Sequence, residues 1–267
     1  MTWGASGLVV CFGATRALDR VDITIEPGRV YAVIGGDGSG KSTLLRVLAG
    51  VQKADSGDVR RPGSGDTGFV SAGGGVFPDL SIAENVEFAA QAYGLTSWRD
   101  RAQTLLRRAG LATFGDRLAG RLSGGQHRKL AGIMALLPQP RLLILDELTT
   151  GLDPYSRLEI SRLITDAAAA GTAVVTATAY LDEAERAEHV VLLHRGRCLA
   201  AGSPESVTAA IPGTVEDVAA PDDPARAWRQ GRCWRQWRPD GARDETARLR
   251  LEDAAIIREL AAEELPS

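Results

Sequence analysis

Gly35-Gly36-Asp37-Gly38-Ser39-Gly40-Lys41-Ser42-Thr43 is the stretch on which the fold turns, because it fits GxxxxGK[ST] and its flanks supply the context that such a loop needs. Before it, Arg29-Val30-Tyr31-Ala32-Val33-Ile34 is a short β-branched run that reads as a buried strand. After it, Ser42 to Ala49 has helical composition and stops at Gly50. In a strand–loop–helix of this kind, glycines let successive backbone N–H groups converge on phosphate oxygens. The helix N-terminus adds the positive end of its dipole. Lys41 is then placed to bridge β- and γ-phosphates, and the Ser42 hydroxyl to ligate Mg²⁺.

Working outward, Leu8 to Val10 and the alternating Val21-Asp22-Ile23-Thr24-Ile25 read as half-buried antiparallel strands, with a turn at Pro27-Gly28. Leu80 to Gly94 and Arg99 to Gly110 carry apolar residues at three- and four-residue spacing, which predicts two amphipathic helices joined near Thr96-Ser97. From Arg141 the pattern returns to buried strands at Leu142 to Leu145, Thr172 to Thr178 and Val190 to Leu193, with a helix over Tyr155 to Ala170. Alternation of this kind predicts an α/β fold around a mostly parallel sheet. His194-Arg195-Gly196-Arg197 reads as a hairpin turn. After Gly202-Ser203-Pro204 the composition shifts toward Ala, Pro, Asp, Arg and Trp, which sets a boundary between 1–205 and a small extension, 206–267.

Composition narrows the function classes. The chain of 267 residues has room for one main core and an appendage, and no second glycine-rich loop is present, so it holds one nucleotide-binding domain. Its 31 Lys+Arg against 34 Asp+Glu leave a net charge of -3, which argues against a protein that wraps nucleic acid. Cys11, Cys198 and Cys233 are far apart and form no CxxC pair, so they read as reduced thiols of a cytosolic chain. The longest uncharged stretch, Ala167 to Leu181, is too short to span a bilayer, and the N-terminus lacks the pattern of a secretory signal. A membrane role is therefore expected to run through a partner.

Arg141-Leu142-Leu143-Ile144-Leu145-Asp146-Glu147 ends a buried strand in two carboxylates. Beside a phosphate loop, Asp146 can hold Mg²⁺ and Glu147 can polarise the attacking water; by itself the pattern also describes a strand that ends in solvated carboxylates. Leu122-Ser123-Gly124-Gly125-Gln126 precedes a helical run from His127 to Leu137, and alone it would read as a helix N-cap with a flexible lead-in.

With Leu122–Gln126 lying between the other two segments, the chain resembles an ABC ATPase from about Leu8 to Gly202. The resemblance implies a P-loop NTPase core, a helical subdomain over about 80–137, an antiparallel β subdomain and the C-terminal extension. It also implies ATP and Mg²⁺ as ligands. Leu-Ser-Gly-Gly-Gln is the family signature, and the resemblance places Ser123, Gly124, Gly125 and Gln126 on the γ-phosphate of the opposite subunit's site. Phe12 falls where family members stack an aromatic on adenine, although a core-facing Phe fits the local pattern as well. Thr150-Gly151-Leu152-Asp153 matches the D-loop, which touches the opposite site, and Leu148 replaces the usual proline.

Gly75-Val76-Phe77-Pro78-Asp79-Leu80-Ser81 with Glu84-Asn85, Tyr180-Leu181-Asp182-Glu183-Ala184-Glu185, and Leu193-His194-Arg195-Gly196-Arg197 are similar to the ATP-binding subunits of ABC-2-type exporters; general ABC packing is the other reading. The family pattern breaks at two places. The Q-loop glutamine should follow Phe69-Val70-Ser71, where Ala72 stands, and the switch histidine should follow Ala177-Thr178, where Ala179 stands. Both replace a polar side chain with a methyl, so the resemblance implies a site that binds ATP and turns it over slowly.

Sites of this family are shared across a dimer. The losses therefore imply a second, non-identical ATP-binding subunit, working on integral membrane permease subunits at the inner face of the cell membrane, with the coupling surface near Ala72 to Leu80. A soluble ABC-type ATPase without transport, or a non-hydrolysing regulatory half of a complex, are the competing readings.

In the extension, Arg226 to Arg250 interleaves eight Arg with Trp228, Trp234 and Trp237, facing Asp240, Asp244 and Glu245. The segment favours a small sheet packing Trp on the main domain, with membrane, partner or nucleic-acid contact as alternatives. Leu249 to Ile257 resembles the motif closing exporter extensions, before a last helix over Ile256 to Leu265; a plain amphipathic helix is equally compatible.

Overall fold

The computed structural model describes residues 2–241 and 249–264. Its centre is a six-stranded sheet in the order β5-β6-β7-β3-β8-β9, made of β3 (Val30–Ile34), β5 (Thr67–Val70), β6 (Leu142–Asp146), β7 (Ala173–Ala177), β8 (His189–His194) and β9 (Arg197–Gly202). The first five run parallel, and β9 returns antiparallel from β8. The Arg195-Gly196 turn between them has both central residues at positive φ (46° and 80°), the geometry that a two-residue hairpin needs. Covered on both faces, β6 and β7 are continuous runs of Leu, Ile, Val and Ala rather than alternating strands.

A second, antiparallel sheet in the order β2-β1-β4 combines β1 (Trp3–Phe12), β2 (Thr15–Ile25) and β4 (Ser56–Arg60). Sequence reading finds parts of β1 and β2 but not β4, because Ser-Gly-Asp-Val-Arg has almost no apolar face: only Val59 packs inward, against the cluster that holds Leu8, Val21 and Leu45. Between the two sheets lies α1 (Lys41–Ala49), whose Leu44, Leu45, Val47 and Leu48 are buried and which ends at Gly50 in the left-handed conformation (φ 77°).

The helical subdomain consists of α2 (Ile82–Ala92), α3 (Arg99–Arg108) and α4 (Gly124–Leu136). A reciprocal capping box opens α2: Ser81 Oγ accepts the Glu84 amide, and Glu84 Oε2 accepts the Ser81 amide. Fully buried Asn85 donates to the carbonyls of Phe77 and Ser81 and accepts from the Phe77 amide, pinning the loop before the helix. The same device opens α4 through Ser123 and Gln126, so this helix begins three residues earlier than composition predicts. Its two leading glycines sit where the helix has no internal N–H partner to lose.

Across the sheet, α5 (Pro154–Ala169) starts on an Asp153 cap with Pro154 in its first turn, and a short α6 (Leu181–Ala184) follows β7. A turn of helix, α7 (Pro204–Ala209), leads to a third sheet in the order β10-β12-β11, from β10 (Thr214–Val218), β11 (Ala227–Gln230) and β12 (Cys233–Arg238).

Trp237 of β12 is buried and donates its indole N–H to the Pro212 carbonyl (2.8 Å), while its neighbour Arg235 makes a buried ion pair with Asp253 (2.8 Å). Packing against the main domain is thus the role of this inward face. The cluster holding Trp237 also contains Ala32, Ile34, Val190 and Leu192 of the central sheet, on the other side of the 205/206 boundary. Trp234, beneath Arg229, and Trp228 of β11 are only partly buried.

The last helix, α8 (Leu251–Glu264), begins five residues before the expected Ile256, because Leu251, Ala254 and Ile257 all pack into that cluster. Leu265, Asp244 and Glu245 lie outside the described residues. Among the described residues no helix is long and apolar enough to cross a membrane.

Candidate nucleotide-binding site

Gly35–Gly40 leaves β3 at the carboxyl edge of the central sheet and enters α1 directly. Packing explains its glycines. A Cβ on Gly35 (φ 142°) would sit 2.0 Å from the Leu193 carbonyl oxygen, and one on Gly40 (φ 107°) 2.6 Å from that of Ala17. The loop is thus pressed between β2 and the β8–β9 hairpin, whose Gly196 amide donates to the Ser39 carbonyl (3.0 Å). No side chain caps α1, which leaves its first-turn amides open toward an anion.

Lys41 is buried, and its Nζ donates to the carbonyls of Gly35 and Gly36 (2.8 and 3.0 Å), so a cation is held inside the loop by two weak acceptors. A phosphate would be a far better partner for that ammonium. Beside it, Ser42 Oγ donates to Asp146 Oδ1 (3.0 Å), and the other carboxylate oxygen of fully buried Asp146 has no partner. A hydroxyl next to a half-satisfied carboxylate at a phosphate loop fits a hard divalent cation. Among the described residues no group of three His, Cys, Asp or Glu is clustered, so such a cation would complete its shell with phosphate oxygens and water. The buried Ser39 hydroxyl is likewise unpartnered.

Glu147 follows Asp146 in the left-handed conformation (φ 54°), which costs a non-glycine residue about 1–3 kcal/mol, and its amide donates to the Ala177 carbonyl at the end of β7 (3.1 Å). Phe12 ends β1 at the tip of the β1–β2 hairpin and is 51% exposed, which overturns the core-facing reading of this ring. The second strand of that hairpin is the one backing Gly40.

The remaining candidates lie apart from the loop. Ser123 and Gln126 cap α4, and Gly125 abuts Ser156 of α5 so closely that a Cβ would lie 2.8 Å from its Oγ. Gly124 opens the same helix. Asp153 accepts the amides of Tyr155 and Ser156 (both 3.0 Å), and its hydrogen bonds with Ser156 above all hold the carboxyl below the usual range. Ala72 is exposed in the loop after β5 and gives its carbonyl to Arg128 of α4 (2.8 Å). Ala179 is exposed one residue beyond Thr178, after β7. Neither methyl offers a polar atom to a ligand.

One cluster escapes the sequence reading. Glu183 Oε1 accepts from Arg157 Nε, and its Oε2 accepts from the hydroxyls of both Thr149 and Thr178, each at 2.8 Å. These residues come from the turn after β6, the end of β7, α5 and α6. Only the β6–β7 register brings them together, although Tyr180 to Glu185 already stood out for its resemblance to exporters.

The family pattern described as ABC transporter matches residues 18–150. Over 236 residues the chain is 35% identical to the daunorubicin/doxorubicin resistance ATP-binding protein DrrA of Streptomyces peucetius, covering 83% of this chain and 71% of that protein. It is also 35% identical over 210 residues to a probable sulfate/thiosulfate import ATP-binding protein, CysA, of Chlorella vulgaris, covering 74% and 89%. Against the probable multidrug ABC transporter ATP-binding protein YbhF of Escherichia coli K12 it is 35% identical over 220 residues, but it spans only 38% of that longer protein.

Among solved structures, an ATP-binding subunit of an ABC transporter aligns with a TM-score of 0.73 at 26% identity, covering 78% of this chain and 92% of that one. A dimeric ATP-binding cassette in a post-hydrolysis state, bound to ADP and Pi, aligns with a TM-score of 0.68 at 26% identity, covering 76% and 98%. The phosphate loop, the Ser42–Asp146 pair and these relatives converge: the chain belongs to the ABC transporter family and carries its ATP-binding domain.

Proposed function

We propose that this chain is the ATP-binding subunit of an ABC export system, that it grips ATP firmly and hydrolyses it slowly, and that a second, non-identical ATP-binding subunit supplies most of the turnover. The observation that carries the reading is the contrast between a complete phosphate loop and two bare methyl positions: buried Lys41 and the Ser42–Asp146 pair on one side, Ala72 and Ala179 on the other. Export rather than import rests on the resemblance of the 75–81, 180–185 and 193–197 segments to exporter subunits and is supported by a relative named as a Nod factor export ATP-binding protein, 32% identical over 209 residues; the transported solute is hydrophobic or amphipathic.

In this account the loop amides and Lys41 hold the triphosphate, while Phe12 stacks on the adenine. Ser42 and Asp146 would hold Mg²⁺, which when bound would neutralise negative charge on the phosphates. Glu147 polarises the attacking water. Missing hydrogen-bonding groups around a transition state cost on the order of 10²-fold in turnover each, whereas ground-state affinity set by the loop is retained. Ser123, Gly124, Gly125 and Gln126 complete the partner's site, and Asp153 orders the D-loop near the dimer interface.

The coupling surface to the permease lies near Ala72 to Leu80, where exposed Phe77 meets Phe88 of α2 edge to face with ring centroids 4.6 Å apart. The chain is held through this surface at the cytoplasmic face of the membrane.

Affinity isolation of the tagged chain from detergent-solubilised membranes tests the assembly. The expected product contains an integral membrane protein and a second ATP-binding chain of different sequence. Two copies of this chain as the sole ATP-binding subunits of an active complex would contradict the heterodimer.

A further inference from the structure

The nucleotide loop accounts for Lys41, Ser42 and Asp146 but not for the charged cluster beyond β7. Glu183 is largely buried, and its carboxylate is shared among three side chains from three segments. Thr149 lies two residues after Glu147, and Thr178 immediately precedes Ala179. Arg157 stands one turn into α5 beyond the Asp153 cap. It also forks onto both oxygens of Asp182 (2.9 Å each) and lies 3.8 Å over the Tyr180 ring.

A second bridge runs parallel to the first: the Gly151 amide donates to the Tyr180 hydroxyl (3.3 Å), and the Tyr180 amide donates to Thr178 Oγ1 (3.0 Å). Glu147 itself is hung on the same pair of strands through its amide bond to Ala177, in a strained conformation that something nearby must hold.

From this arrangement we infer that Glu183 is a positioning residue for ATP hydrolysis: its carboxylate joins the Glu147–Asp153 turn to the Thr178–Glu183 segment as one rigid unit, and so keeps the Glu147 carboxylate aimed where Ala179 supplies no imidazole. The inference rests on the proposed hydrolytic role of Glu147. An ionised carboxylate is the group the site requires, since only it can accept from two hydroxyls and a guanidinium at once. An amide at this position keeps one acceptor oxygen and places an N–H₂ against a donor. A misaimed base costs rate without costing nucleotide affinity, because among the described residues the hydrogen bonds of the cluster do not reach residues 35–43.

Full-length chain carrying Glu183→Ala or Glu183→Gln tests this with two readouts. The first is amide hydrogen exchange under native conditions, which needs no turnover. Exchange should rise at least tenfold in both the 149–153 and 178–183 segments of Glu183→Ala, with 35–43 unchanged. The second is Mg²⁺-dependent ATP turnover, measured in the Ala72→Gln background, which leaves Ala179 in place, if the native rate is too low. There Glu183→Ala should lower kcat at least tenfold with KM within about twofold, and Glu183→Gln should fall between.

Exchange rising in one segment only, or in neither, overturns the inference. So does a kcat that survives Glu183→Ala, or a fall confined to KM. A background variant with no gain over the native chain counts against the slow-site reading of Ala72 and leaves the exchange result to decide the role of Glu183.

Discussion

β3 and β7 lie side by side in the central sheet and end at the same edge, yet they hand on opposite things. β3 ends in a loop where a buried ammonium is spent on two carbonyls and a carboxylate oxygen is left over, so its polar groups wait for a ligand. β7 ends at Thr178-Ala179, where the available polar groups are satisfied by one another around Glu183 and the residue facing outward is a methyl. One strand end is built to bind, and its neighbour is built to stay rigid. On the proposed reading affinity and chemistry are separable in this chain, and substitutions at the two ends should affect different measurements.

The largest effect belongs to the β3 end. Lys41→Ala removes the only side-chain cation held within the loop, and ATP affinity should fall on the order of 10²-fold, read by equilibrium titration; a loss below threefold would break the comparison. Next come the two methyl positions, after β5 and after β7: Ala72→Gln with Ala179→His should raise kcat roughly tenfold or more while the ATP dissociation constant stays within about twofold.

Thr178→Val removes one of the three donors to Glu183, and turnover should drop about fivefold, the rate equivalent of about 1 kcal/mol, less than the roughly 1.5–3 kcal/mol of a hydrogen bond to a charged group because two donors remain. The smallest effect is Phe12→Ala: the ring is half exposed, so thermal stability should hold within about 1 °C while ATP affinity weakens a few-fold.

What the sequence disclosed and what it hid follow the same division. Gly35 to Thr43, the β6 carboxylates and the α4 cap are contiguous, and each motif carries its own chemistry within a few residues, so the binding end was legible. The parallel sheet was legible too, from the apolar runs of β6, β7 and β8. β4 was not, because an edge strand packing a single Val59 has no periodic signature.

The Glu183 cluster stayed hidden for a different reason. Thr149, Arg157, Thr178 and Glu183 are unremarkable singly, and only the register of β6 on β7 makes them one unit. In the extension, the Trp and Arg alternation and its packing on the main domain were legible, but not the residues that set the inward direction. That direction is set by the cluster receiving Trp237 and by Asp253, which neutralises Arg235.

The most direct test of the central claim is a paired measurement on the purified chain with Mg²⁺: ATP binding and steady-state turnover, with Glu147→Gln as control. The account predicts tight binding in both proteins and a low turnover in the native chain that Glu147→Gln lowers further. Brisk turnover abolished by Glu147→Gln would contradict it: Ala72 and Ala179 would then not disable the site, and a homodimeric motor would describe the protein better.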